Sequence, residues 1–241
     1  MSTATTPVEM ETLGELLEQL GGISPHRVRL RPPPGSATEK DVLDILHRTN
    51  RLCELVDGVL VEKVMGYPES TLACNLIKLL GNFLDRHDLG NLAGMDGTMR
   101  LMPKLVRIPD VSFVRWEKLP SRRPPAAPIP DLVPDLAVEV LSEGNTRAEM
   151  DRKRREYFFA GVALVWFVDL NARLVQVYDS PENCRVFTET DTLDGGSVLP
   201  GLSLAVRDIF SRSPPQPMEE SSDATRRPPR RKKPCPRSGN A

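Results

Sequence analysis

The chain has 241 residues, 39% apolar and 27% charged, enough for one sizeable α/β domain with appendages. No apolar run is long enough to span a bilayer, and Met1 to Pro7 lacks a basic-then-apolar leader, so a cytoplasmic location is expected. Eight Lys/Arg and three Asp/Glu lie from Ser211 onward, leaving 24 basic and 30 acidic residues before it; an acidic body with a basic tail is not a domain that coats DNA by charge alone.

Leu13, Leu16, Leu17 and Leu20 predict a short amphipathic helix stopped by Gly21-Gly22. Val28 to Pro32 reads as a short edge strand, broken by the following prolines. A helix is expected over Thr38 to His47, with Ser36 and Glu39 spaced as a capping box. In Leu52 to Lys63, Asp57-Gly58 between two apolar runs signals a hairpin. A two-residue turn sets Val56 opposite Val59 and Glu54 opposite Val61, which puts Glu54 on the valine side of the ribbon.

Glu69 to Arg86 predicts a long helix with the stripe Leu72, Leu76, Leu79, Leu80 and Phe83. Asp96-Gly97 is a turn, and Val106 to Val114 reads as one strand with Asp110 in its interior. Residues 117–130, rich in Pro and Arg, are expected to form a surface loop. Pro134 to Tyr157 then reads as strand, polar turn and helix. The strand carries Glu139 among Leu136, Ala137, Val138, Val140 and Leu141. The helix places Thr146, Met150, Lys153, Tyr157 and Gly161 on one stripe, so that a lysine looks inward. Ala163 to Asp169 is apolar on both faces, as a central strand should be. Leu174 to Tyr178 alternates and should pair antiparallel after the Asn171-Ala172 turn. Arg185 to Thr188 is a further strand, Gly195-Gly196 and Leu199 to Gly201 are turns, and Val206 to Phe210 is a closing helical turn. The Pro-, Ser- and Arg-rich remainder is expected to be disordered.

Glu54, Asp110 and Glu139 are acids in strands with apolar neighbours, and a buried carboxylate is costly unless paired or bound to a metal. Acids gathered with one Lys suit a hard divalent cation, Mg²⁺ or Mn²⁺, with positions left for water and a phosphate. Such an ion lowers the pKa of bound water and offsets charge building on a phosphodiester. Lys153 would orient or deprotonate that water, or stabilise the pentavalent phosphorus. Each residue also has a plain structural reading. Glu54 would reach water at the ribbon's end, Asp110 would end a strand or shape a turn, Glu139 would pair with a buried Arg, and Lys153 would extend its ammonium to solvent. Tyr157 and Trp166 read as core packing. The four cysteines (Cys53, Cys74, Cys184, Cys235) and three histidines (His26, His47, His87) are dispersed, which speaks against a disulfide framework or a His-based metal site.

The order and spacing of several motifs resemble the PD-(D/E)XK nuclease superfamily, and within it the Uma-type restriction endonuclease family. The residues that carry the likeness are Cys53-Glu54-Leu-Val-Asp57-Gly58, Arg107-Ile-Pro-Asp110, Pro134-Asp-Leu-Ala-Val-Glu139, Lys153 with Tyr157, Gly161-Val162, and Val165-Trp-Phe-Val-Asp169. The resemblance implies a restriction-endonuclease-like α/β core, a mixed central β-sheet flanked by helices on both sides, with the site at one end. It implies a metal-dependent endonuclease acting on DNA phosphodiesters. Asp110 and Glu139 would be metal ligands, Glu54 would bind metal directly or through water, and Lys153 would replace the lysine that the superfamily places two residues after the second acid, where this chain has Leu141. The relatives often carry a His near the start of the long helix, where this chain has Glu69-Ser70. A catalytically inactive nuclease-fold module that binds nucleic acid or regulates is the alternative, RNA rather than DNA is a second substrate class, and a homodimer would allow both strands to be cut. The expected organisation is an N-terminal extension over 1–35, the nuclease-like domain over 36–210 and a basic tail over 211–241.

Overall fold

The computed structural model describes residues 11–213, so most of the basic tail lies outside the described residues. A six-stranded mixed sheet forms the centre. In chain order its strands are β4 (Gly90–Ala93), β7 (Val111–Arg115), β8 (Leu136–Leu141), β9 (Leu164–Asp169), β10 (Leu174–Tyr178) and β11 (Cys184–Thr188). Their spatial order is β11-β10-β9-β8-β7-β4. Only β8 and β9 run parallel in it, and α4 (Arg147–Ala160) is the crossover that a parallel pair requires. A second, five-stranded sheet is ordered β1-β3-β2-β6-β5. It consists of β1 (Val28–Arg29), the hairpin β2 (Cys53–Val56) and β3 (Val59–Glu62), β5 (Met99–Met102) and β6 (Leu105–Arg107).

The sheets are layered by side-chain alternation. On β8, Leu136, Val138 and Val140 pack with Leu72, Leu76, Leu80 and Phe83 of α3 (Tyr67–His87). The opposite face, through Ala137, packs with Met150 and Tyr157 of α4, with Leu16 of α1 (Leu13–Gln19) and with Val56, Val59 and Val61 of the hairpin. Period two therefore turns Glu139 toward α4. A third cluster joins Val42 and Ile45 of α2 (Glu39–Thr49) to Leu55 and Leu60 on the outer face of the five-stranded sheet. The hairpin has the expected register, Glu54 opposite Val61 and Val56 opposite Val59. Asp57 and Gly58 both take positive φ (51° and 78°), as a primed turn demands.

Several sequence expectations are corrected. The capping box of α2 is Thr38 with Asp41 rather than Ser36 with Glu39: the Asp41 carboxylate accepts the Thr38 N–H at 2.8 Å. Val106 to Val114 is two strands in two different sheets, not one. Pro109 has no N–H to give to a ladder, so the chain leaves the five-stranded sheet at Arg107 and enters the central sheet at Val111. Asp110 stands at that crossing rather than inside a strand. Within 117–130, Leu119 and Ile129 are buried, so this stretch is anchored to the body. The turn expected at Gly195-Gly196 joins β12 (Thr192–Gly195) to β13 (Leu199–Ala205), whereas Leu199 to Gly201, expected as a turn, is strand; the pair helps to cover α3's side of the core together with α5 (Val206–Ile209). Among the described residues no helix is long and apolar enough to cross a membrane.

Candidate active site at the junction of the two sheets

The four singled-out residues come from four elements that meet where the sheets join. Glu54 lies on β2, Asp110 at the crossing between β6 and β7, Glu139 on β8 and Lys153 on α4. All four are buried. The inward stripe of α4 is real: Met150, Lys153 and Tyr157 are all buried, with Thr146 as N-cap and Gly161 ending the helix at φ 101°.

Lys153 links two of the acids. Its Nζ lies 3.2 Å from both oxygens of Glu139 and 3.4 Å from Glu54 Oε1. Its ammonium thus does not reach for solvent. Burial disfavours its charge, but the two carboxylates outweigh burial and raise its pKa above the ordinary value. Glu139 also accepts the Tyr157 hydroxyl at 2.5 Å. Burial raises the Glu139 pKa; Lys153 opposes that rise, and Asp110 adds to it. Tyr157, which reads from sequence as packing alone, is therefore also a donor to the site, and burial and Glu139 hold its hydroxyl neutral.

Glu54 is held from every side. Oε2 pairs with Arg107 Nη1 at 2.6 Å, and Oε1 accepts the Ile108 N–H at 3.2 Å. Burial pushes toward protonation, yet Lys153 and Arg107 keep its pKa down at about 2. Arg107 also pairs with Glu156, which binds Arg152, which in turn reaches Asp57 in the hairpin turn. A chain of alternating charges thus ties α4 to the five-stranded sheet. Asp110 is fixed by its neighbour strand and by a second lysine. Its Oδ2 accepts the Val140 N–H at 2.6 Å and its Oδ1 meets Lys63 Nζ at 2.8 Å.

Arg107 and Lys63 escape the sequence reading for different reasons. Arg107 is a charge between Val106 and Ile108, the same kind of signal that marks Asp110. Lys63 follows the hairpin in a position that no periodicity distinguishes.

Asp110, Glu139, Lys153 and Lys63 line one buried cavity of about 20 Å³, room for about one water. Glu69, in the first turn of α3, joins them, and its buried Oε2 has no hydrogen-bond partner. Glu54 does not reach this cavity; Lys153 stands between it and Glu139. Glu69, Val64, Ser142 and Asn145 also line a cleft of about 740 Å³, so the small cavity and the cleft share a wall. Among the described residues, no three His, Cys, Asp or Glu side chains gather closely enough to form a metal cage. Mg²⁺, however, is commonly held by one or two carboxylates together with water and substrate phosphate. Two hard oxygen donors, an unpartnered carboxylate oxygen and a cavity of this size fit such an ion.

Comparisons with known proteins bear on the family and the fold. The Uma2 family, described as "Putative restriction endonuclease", matches residues 40–207. No curated protein matches the chain. Among solved structures, one described as a putative nuclease belonging to DUF820 from Anabaena variabilis is similar at a TM-score of 0.60 and 20% identity, over 68% of this chain and 92% of that one. That likeness supports the fold, and the family match spans the elements that carry Glu54, Asp110, Glu139 and Lys153. The chain belongs to the Uma2 family, whose description is "Putative restriction endonuclease".

Proposed function

We propose that the chain is a divalent-metal-dependent endonuclease that hydrolyses DNA phosphodiester bonds, with Asp110 and Glu139 as metal ligands. The observation that carries this reading is the placement of Asp110, Glu139 and Lys153 around one cavity that shares a wall with a cleft of about 740 Å³. Family membership supports the same reading. A bound Mg²⁺ or Mn²⁺ would neutralise phosphate charge and lower the pKa of a nearby water.

The protein's own groups have separable duties. The Val140 N–H and the Tyr157 hydroxyl fix the Asp110 and Glu139 carboxylates in place. Lys153 stays protonated, because two carboxylates face it and its pKa is raised. It therefore serves as a hydrogen-bond donor and positive charge beside the reacting phosphate, and not as the base that removes a proton from water. Glu54 and Arg107 act as positioning residues: Glu54 holds Lys153 from behind, and Arg107 holds Glu54.

The test is nicking of supercoiled plasmid in Mg²⁺ or Mn²⁺. Asp110→Asn and Glu139→Gln should each lower the rate by at least about a hundredfold while circular dichroism stays native. Either variant cutting at the wild-type rate would sink the assignment.

One observation favours a second reading, a non-catalytic nucleic-acid-binding module. Asp110, Glu139 and Glu54 all have cationic partners within the protein itself. DNA binding with no Mg²⁺-dependent product, and no heat of divalent-ion binding in calorimetry, would select that reading.

A further inference from the structure

We infer that Lys63 is a built-in counter-ion that occupies the Asp110 carboxylate until a divalent cation displaces it, so that its charge sets the metal concentration at which the site loads. The inference rests on the metal-dependent reading above and adds to it a regulator of that site.

The contact is specific. Lys63 Nζ lies 2.8 Å from Asp110 Oδ1 and also donates to the Ile108 carbonyl, with the side chain only 9% exposed. The other Asp110 oxygen is committed to the Val140 N–H. The ammonium thus holds the Asp110 oxygen that the Val140 N–H does not fix. Both cations would compete for the same lone pairs inside a cavity with room for about one water.

Repulsion points the same way. Lys63, Lys153 and Arg107 already hold Asp110, Glu139 and Glu54. A divalent cation entering beside these buried cations is repelled unless one of them leaves. Arg107 is clamped by Glu54 and Glu156, and Lys153 by Glu139 and Glu54. Lys63 has one carboxylate partner, and the chain that follows it, from Val64 to Gly66, forms part of the cleft wall. Its flexible stem makes it the cation able to swing out.

The experiment is calorimetric titration of the full chain with Mn²⁺ at about pH 8, comparing wild type with Lys63→Gln and Lys63→Arg. Removing the charge should tighten Mn²⁺ binding by at least about tenfold. Keeping the charge in Lys63→Arg should leave affinity within about threefold of wild type. The Mn²⁺-free Lys63→Gln protein should melt lower than wild type and gain more in Tm from Mn²⁺. Lys63→Met, which fills similar space without charge, gives the same ordering if Gln perturbs folding. Measurable wild-type binding that is unchanged or weaker in both neutral variants overturns the inference and leaves the nuclease reading standing. No Mn²⁺ uptake by wild type or by folded neutral variants overturns both.

Discussion

Lys153 stands equidistant, at 3.2 Å, from the two carboxylate oxygens of Glu139, and both residues are buried. This pair joins the helix after the central strand back onto that strand, and Glu54 approaches the same ammonium from the other sheet. Removing one partner of a buried pair leaves an uncompensated charge, which costs more than the pair contributes as a unit. Lys153→Met should therefore destabilise the fold by roughly 3–5 kcal/mol. It should also abolish plasmid nicking. Urea unfolding gives the first number, and a loss under about 1 kcal/mol would show that the acids become neutral or hydrated at little cost.

The periodicities of the sequence carry much of this architecture. The Asp57-Gly58 hairpin, the leucine stripe of α3, the two-faced apolar β9 and the inward lysine of α4 all follow from spacing alone. What spacing does not reveal is which sheet a strand joins. Val106 to Val114 reads as one strand with Arg107 and Asp110 among apolar residues, and the division at Pro109 depends on a missing N–H whose consequence appears only when two sheets compete for the strand. The acids are visible as charges in apolar surroundings. Their partners are not, because Lys63, Arg107 and Tyr157 reach them from sequence separations of 47, 53 and 18 residues for the Asp110, Glu54 and Glu139 contacts respectively.

Acid titration isolates Glu54. Its carboxyl ionises at about 2 in the folded chain against an ordinary 4.5, because Lys153 and Arg107 overcome the opposing effect of burial. As pH falls, the unfolded chain takes up this proton first, so the stabilisation is complete above 4.5 and is lost progressively down to about 2. Glu139 acts in the opposite sense: its raised pKa means that the folded chain takes up that proton first. Glu54→Gln should cost roughly 3 kcal/mol near neutral pH. That deficit relative to wild type should shrink as urea-unfolding measurements move from about pH 6 to about pH 3. A deficit constant across that range would mean that the ionised carboxylate is not what holds Lys153 and Arg107.

The hairpin that carries Glu54 depends on Gly58 for two reasons. Its φ of 78° lies in the left-handed region, and a Cβ there would fall 2.3 Å from the Gly35 carbonyl oxygen. Gly22 has a similar φ of 69° with open space around the Cβ position. Backbone strain alone should make Gly22→Ala cost about 1 kcal/mol. Gly58→Ala should cost more, about 2–3 kcal/mol, because backbone must move as well. Since Asp57 and Glu54 sit on that ribbon and pair with Arg152 of α4 and Arg107 of β6, the shift should also loosen Lys153 and slow nicking. Thermal unfolding of the two variants side by side separates the terms. Equal losses would mean that the Gly35 turn relaxes freely, and the hairpin would then not be the rigid mount for Glu54 that its contacts describe.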